Sequence, residues 1–329
     1  SGPMRNIIGQ PVTGDDFFER PSLLKSIRKS LDAGQNISLI APRYYGKTST
    51  LTHIEKIWKK DFHFIYINPE SIHSQFEYFK AIYLGLTGSG LMEKHAEESV
   101  SHPDKDDYYK LLIIKEFGQK NLEKRIVILV DDYHILLNNI YDNGKPQALP
   151  NFLNSDQDFR RRFSTGMYKA QFIYAMDTAH HFGENIIQLR DLENQLLLAL
   201  TAKEYSRAIK TLSKSMEIDL PLTMVKYIHK NLILLLPYHI QLILFRLDQI
   251  YDKDFNNVIT EKTINDAIKN IFLHEEAFHY WYDQLDVMLN QEEAEFARTL
   301  LEKIAIYQTI SSTEIEDIAK DFELLGVYE

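Results

Sequence analysis

The run Ala41-Pro42-Arg43-Tyr44-Tyr45-Gly46-Lys47-Thr48 ends in the Gly-Lys-Thr triplet of a phosphate-binding loop, and Ser49 follows it. In such a turn, successive backbone N–H groups and the N-terminus of the next helix form a concave positive site for phosphate oxygens. Gly46 would let the backbone pass close to the phosphates. Lys47 would reach the β- and γ-phosphates, and the Thr48 hydroxyl would hold Mg2+. A second candidate lies downstream, where the apolar run 126–130 ends in Asp131-Asp132. A carboxylate at the end of a buried parallel strand points into the ligand crevice of an open sheet. Asp131 would orient Mg2+ through water, and Asp132 would polarise an attacking water. Alone, an acidic pair in a strand-to-loop turn reads as solvated. Behind a phosphate loop it reads as functional, so Lys47, Asp131 and Asp132 are the catalytic candidates, with Thr48 and Asp131 on the metal.

These side chains need strands and helices to hold them. Residues 36–40 form a short apolar strand directly before the loop, and a helix is expected over 47–59. Further strands are expected over 62–67, 126–130 and 171–175, the third apolar throughout, as a central parallel strand buried on both faces should be. Helices are expected over 76–86, 108–123 and 156–167, and an earlier one opens at Pro21 and stops at Gly34. The segments 87–107 and 143–146 read as loops. Alternating strands and helices imply an α/β fold with a P-loop parallel sheet flanked by helices. From residue 201 onward the periodicity is helical, over 202–213, 221–231, 237–251, 260–271, 278–289 and 292–306. The expected division is a flexible start over 1–10, a nucleotide-binding domain over 11–200, an all-helical lid over 201–275 and a helical C-terminal region over 276–329.

Composition narrows the choice. The chain has 44% hydrophobic and 26% charged residues, ordinary for a folded soluble protein. It has no cysteine, which excludes disulfides, thiolate metal sites and cysteine nucleophiles and suits a cytoplasmic location. The most apolar stretch, 232–247, carries Pro237, His239, Gln241 and Arg246 and reads as a buried helix, so no membrane association is expected. Ser1-Gly2-Pro3-Met4 reads as a cleavage scar before a native start. The net charge of −10 argues against nucleic acid as the main partner.

Three stretches together, Gly14-Asp15-Asp16-Phe17-Phe18-Glu19-Arg20, Ala41 to Ser49 and Asp131-Asp132, resemble the archaeal/bacterial ATPase family of the STAND class within the AAA+ superfamily. The resemblance covers roughly residues 11–247 and is most specific in the phosphate loop. It implies ATP or ADP as ligand, with Mg2+, and a role as an ATP-driven switch acting on a protein partner, with a homo-oligomer an open expectation. It allows Ala41 in place of the usual first glycine. It implies that Arg20 lies near the base and that Pro237, in a lid motif, packs on the adenine. Asp177 and Thr178 match the place of a polar γ-phosphate sensor. Two departures, Leu235 where the lid motif has glycine and the acidic Asp177, imply slow hydrolysis.

The remaining candidates are weaker. Arg160-Arg161-Arg162 could supply an arginine finger, but charge runs usually solvate a helix face or bridge to acidic neighbours. His134, His180, His181 and His239 show no metal-ligand spacing. From residue 292, a helix, a turn around 309–312 and a helix over 313–325 resemble the start of a winged-helix module that stops short of its wing. Glu314, Glu316, Asp317, Asp321 and Glu323 against Lys320 disfavour a phosphate-backbone contact there. Three functions follow: a slow-hydrolysing ATP switch, a nucleotide-binding scaffold without turnover, and a DNA-dependent ATPase.

Overall fold

The computed structural model describes residues 3–8, 10–12, 14–95, 105–117, 122–141, 145, 147–164, 170–177, 187–232, 235–250, 258–274, 285–286, 289–307 and 310–322. The chain divides into two compact units, Ser1–Glu261 and Lys262–Glu329.

The first unit is built on five strands, β1 (Ile37–Ile40), β2 (Phe62–Ile67), β3 (Arg125–Val130), β4 (Ala170–Met176) and β5 (Glu193–Leu196). They lie in the order β2-β3-β4-β1-β5, and every neighbouring pair is parallel. Helices α1 (Pro21–Asp32), α2 (Lys47–Trp58), α3 (Gln75–Gly88), α4 (Tyr108–Phe117), α5 (Tyr133–Tyr141) and α6 (Ala148–Ser164) cover the sheet. The period of two along β3 divides its apolar residues between the faces. Ile126, Ile128 and Val130 join Tyr78, Ile113, Leu136 and Phe152 from α3 to α6. Val127 and Leu129 join Ile27 and Leu31 of α1 and Leu51 and Ile54 of α2 on the other face. Each such side chain contributes about 1.5–3 kcal/mol when fully buried. The expected α/β sheet is therefore the observed one: a five-stranded parallel sheet with helices on both faces.

Among the described residues this unit also holds α7 (Ala202–Ser215), α8 (Leu222–Asn231) and α9 (Pro237–Ile250). A capping box between Thr201 and Glu204 starts α7. The apolar stretch at 232–247 lies largely in α9, whose Ile240, Leu242, Ile243, Leu244 and Leu247 are buried. No helix among the described residues is long and apolar enough to cross a membrane.

The second unit contains α10 (Glu261–His274, with Glu261 at the division), α11 (Gln291–Tyr307) and α12 (Ser312–Asp321). Phe296 of α11 and Ile318 and Ala319 of α12 form a small core, and Ser311 with Glu314 makes the capping box that starts α12. Most of the helix expected over 278–289 lies outside the described residues.

Several expectations need correction. Strand β5 was not anticipated: in Glu193–Leu196 only Gln195 is buried, so the edge strand lacks the apolar pattern of its neighbours. Helix α5 follows the Asp131-Asp132 pair directly, where no helix was expected. Helix α6 begins at Ala148, ahead of 156.

Candidate functional site

The phosphate loop leaves β1 and enters α2. Ala41, at its first position, donates its N–H to Met176 O at 3.1 Å and does not adopt a positive φ, so its side chain strains no backbone there. Positive φ falls instead at Gly46, φ 95°, and at Tyr44, φ 67°. Gly46 caps α2 in the left-handed conformation, where a side chain would be strained. Lys47 opens the helix, and its ammonium donates to Ala41 O at 2.7 Å and Pro42 O at 3.1 Å, both in its own loop. Burial lowers the Lys47 pKa, against the pull of Asp177, Asp132 and Asp131, in that order.

The strand-end carboxylates face this loop. The Thr48 hydroxyl donates to Asp131 Oδ2 at 2.6 Å, joining the end of β3 to the first turn of α2. Asp131 N–H donates to Ile67 O at 3.0 Å, which ties the aspartate to the end of β2. Tyr66 of β2 adds a second donor to Asp131 Oδ2, at 2.5 Å. Sequence reasoning missed Tyr66, although an aromatic hydroxyl one residue before the end of the strand paired with β3 was a usable signal. Asp132, at φ 42°, donates its N–H to Asp131 Oδ1 at 3.0 Å. Its carboxyl is pushed up to about 6, first by burial and then by the charge of Asp131. Asp177 is buried just beyond β4, with its N–H donating to His134 Nδ1 at 3.3 Å.

Arg20 precedes α1 and reaches the same turn. A Cβ built on Gly46 would stand 3.5 Å from Arg20 Nη1. The Arg20 side chain is 5% exposed, and its Nε and Nη2 have no hydrogen-bond partner. Burial lowers its pKa to about 10, with Glu204 opposing. Pro237 opens α9, and the adjacent Tyr238 stacks on Tyr44 with ring centroids 4.7 Å apart. Arg43 is exposed, with its guanidinium 5.1 Å from the Tyr44 ring centroid, and Tyr45 packs on the core under the loop. Ser49 turns away from the loop and accepts the Val12 N–H at 3.1 Å. Thr178, His180 and His181 lie outside the described residues.

The arginine run has a different role from a finger in its first member. Arg160 is fully buried and donates to Asp156 Oδ2 at 2.7 Å, Asp191 Oδ1 at 3.0 Å and Gln188 O at 2.6 Å. Tyr133 and Tyr174 also donate to Asp156, at 2.8 and 3.1 Å. Burial alone would lower the Arg160 pKa, and Tyr174, Asp156 and Tyr133 raise it more strongly. Arg162 pairs with Asp158 in solvent at 2.9 Å.

A buried guanidinium with two unpartnered nitrogens, beside a left-handed glycine and a helix N-terminus, fits an anion, and a nucleotide phosphate chain has that chemistry. Thr48 and Asp131, already joined, would hold a divalent cation on that chain. Among the described residues no group of three or more His, Asp or Glu makes a metal cage without it.

Sheet order, phosphate loop and strand-end acids together define the fold of the AAA+ P-loop ATPases. No family profile matches the chain, and no curated protein matches it. Solved structures do. A Walker-type ATPase of Pyrococcus abyssi superposes with a TM-score of 0.56 at 11% identity, over 97% of this chain and 93% of that one. RuvB of Thermotoga maritima, a Holliday junction branch migration motor, gives 0.52 at 15%, over 95% and 85%. Drosophila ORC bound to DNA gives 0.52 at 13%, over 99% and 75%. At these identities the likeness is one of fold.

Proposed function

We propose that this chain is an ATP-binding, Mg2+-dependent P-loop NTPase of the STAND class that works as a slow-hydrolysing switch. The observation that carries the reading is the Lys47 ammonium folded onto Ala41 O and Pro42 O while Thr48 is bound to Asp131. The loop has its turn, its helix N-terminus and its acid in place, and its cation needs only to exchange two carbonyls for phosphate oxygens. Arg20 would give its unpartnered Nε and Nη2 to the same ligand. Asp131 would keep Thr48 oriented, and Asp132, its carboxyl pushed up by burial and by the charge of Asp131, would accept a water proton. The metal, when bound, supplies charge neutralisation at the β- and γ-phosphates. Pro237 and the Tyr44–Tyr238 stack link the start of α9, in the proposed lid over 201–275, to the loop. A cytoplasmic location and a protein partner belong to the same reading.

The test is nucleotide-linked thermal stabilisation together with phosphate release, for the wild type and Lys47→Ala. The wild type is expected to gain about 2.7 kcal/mol at a ligand concentration 100 times Kd. Lys47→Ala is expected to lose that gain and any turnover. Binding without turnover under all conditions would replace the switch by a scaffold. No binding by the wild type would end the nucleotide reading.

A second reading, a DNA-dependent ATPase, is favoured by the DNA-bound ORC and the branch migration motor among the similar structures. The net charge of −10 and the acidic α12 oppose it. Steeply salt-dependent DNA binding would support it.

A further inference from the structure

Asp132 has a positive φ, 42°, shared outside glycine only by Tyr44 and Glu217 among the described residues. Such a backbone is unfavourable for an L side chain and persists only where its surroundings over-determine it. Here they do so from both sides. Before it, Asp131 N–H is bonded to Ile67 O at 3.0 Å, and Asp132 N–H to Asp131 Oδ1 at 3.0 Å. After it, Asp132 O accepts the Ile135 N–H at 2.8 Å in the first turn of α5. Tyr133, the first residue of α5, is fully buried, and its hydroxyl donates to Asp156 Oδ2 at 2.8 Å. Asp156 on α6 is itself fully buried and held by Arg160 and Tyr174. With Asp131 tied to β2 and Tyr133 tied to α6, the single residue between them is bent to join the two.

We infer that Tyr133 is a positioning residue for the proposed hydrolysis: its hydroxyl, seated on Asp156, holds Asp132 in the left-handed conformation from which that carboxyl works. The inference rests on the nucleotide-binding reading and deepens it. In the proposed step a water oxygen bonds to the terminal phosphorus and the bond to the bridging oxygen breaks. The diphosphate leaves with that electron pair, and Asp132 takes the water proton. The φ of Asp132 sets the direction in which its Cβ leaves the chain. A relaxed backbone would carry the carboxyl away by more than the ~0.5 Å that a reacting group tolerates. Tyr133 works through the backbone alone, and Asp156 works through Tyr133. Tyr174 donates to the same carboxylate at 3.1 Å but has no chain link to Asp132, which makes it the control.

The experiment compares Asp132→Gly with Asp132→Ala, each alone and with Tyr133→Phe, by denaturant unfolding of the nucleotide-free full chain. Both substitutions remove the carboxylate, so their difference reads the backbone. With Tyr133 in place, the glycine variant is expected to have a folding equilibrium constant about fivefold above the alanine variant, because glycine accepts a positive φ. With Tyr133→Phe that ratio is expected to fall to about one or below. Asp156→Leu with Arg160→Met, which removes the acceptor and keeps the tyrosine, serves if the phenylalanine variant does not fold. Tyr174→Phe is expected to leave the ratio near its starting value. With Asp132 intact, Tyr133→Phe is expected to slow phosphate release about tenfold while nucleotide affinity changes by less than about threefold. A ratio that Tyr133→Phe leaves unchanged, or that Tyr174→Phe lowers as much, overturns the positioning. Turnover that survives Tyr133→Phe, or a wild type that binds nucleotide and never turns it over, overturns its use in the reaction. A wild type that binds no nucleotide ends the parent reading, and the unfolding ratio still decides whether Tyr133 holds Asp132.

Discussion

Two groups of buried charge lie against the sheet, one on α6 and one around the phosphate loop, and they differ in how completely they are answered. Inside the sheet's helical cover, Arg160 and Asp156 are both fully buried, and Arg160 is matched by Asp156, Asp191 and Gln188 while Tyr133 and Tyr174 complete Asp156. At the strand tips, Arg20 is buried with two nitrogens unpartnered, Lys47 rests on loop carbonyls, and Asp132 is pushed up to about 6. Burial without partners costs stability. A fold retains it where a ligand completes the set. The closed group therefore reads as architecture and the open one as a binding site, although both contain an arginine and aspartates.

The largest effect should come from opening the closed group. Asp156→Ala leaves Arg160 without its fully buried carboxylate, with Asp191 and Gln188 O remaining, and is expected to cost about 3–5 kcal/mol in denaturant unfolding. The double variant Asp156→Leu with Arg160→Met should recover most of that, and a failure to recover would mean the pair does more than fill space. Next comes the opposite sign at the tips. Arg20→Met is expected to stabilise the nucleotide-free protein by about 1–3 kcal/mol, since it removes an unsatisfied buried group, while weakening nucleotide binding. A loss of stability in the empty protein would break the contrast between the two groups.

A smaller effect separates the two donors on Asp131. Tyr66→Phe is expected to cost about 1 kcal/mol in the empty protein and to lower the Mg2+ concentration needed for nucleotide binding, because the phenol competes for Asp131 Oδ2. A Mg2+ titration of nucleotide affinity checks it. The smallest concerns His53 of α2, stacked on Phe17 with ring centroids 4.0 Å apart. Burial lowers its pKa below the usual histidine value of 6.5, with Glu19 opposing and Lys56 adding. The folded state then binds fewer protons than the unfolded one, so this contribution is complete above pH 6.5 and shrinks as pH falls below it. Thermal unfolding between pH 7 and 5 should show a shallow loss that His53→Gln removes.

The sequence made the phosphate loop and β3 legible because their demands are local. A glycine must stand where φ is positive, and a strand buried on both faces must be apolar throughout. Strand β5 was hidden because an edge strand with one buried residue carries no period-two signal. Helix α5 was hidden behind the acidic pair that precedes it. Arg160 could not be told from Arg161 and Arg162 by type. Only the fold shows that its partners at 156, 174 and 191 converge on it. Arg20 was named from the sequence as a residue near the base, and what only the structure adds is its burial with Nε and Nη2 unpartnered.

The Tyr44–Tyr238 stack sets a scale for movement. An aromatic pair contributes about 0.5–1.5 kcal/mol beyond its buried area. Breaking it alone shifts populations by a factor of about two to about thirteen. The start of α9 thus meets the phosphate loop through a contact of modest strength, one that a ligand's differential affinity for two ring positions is large enough to shift.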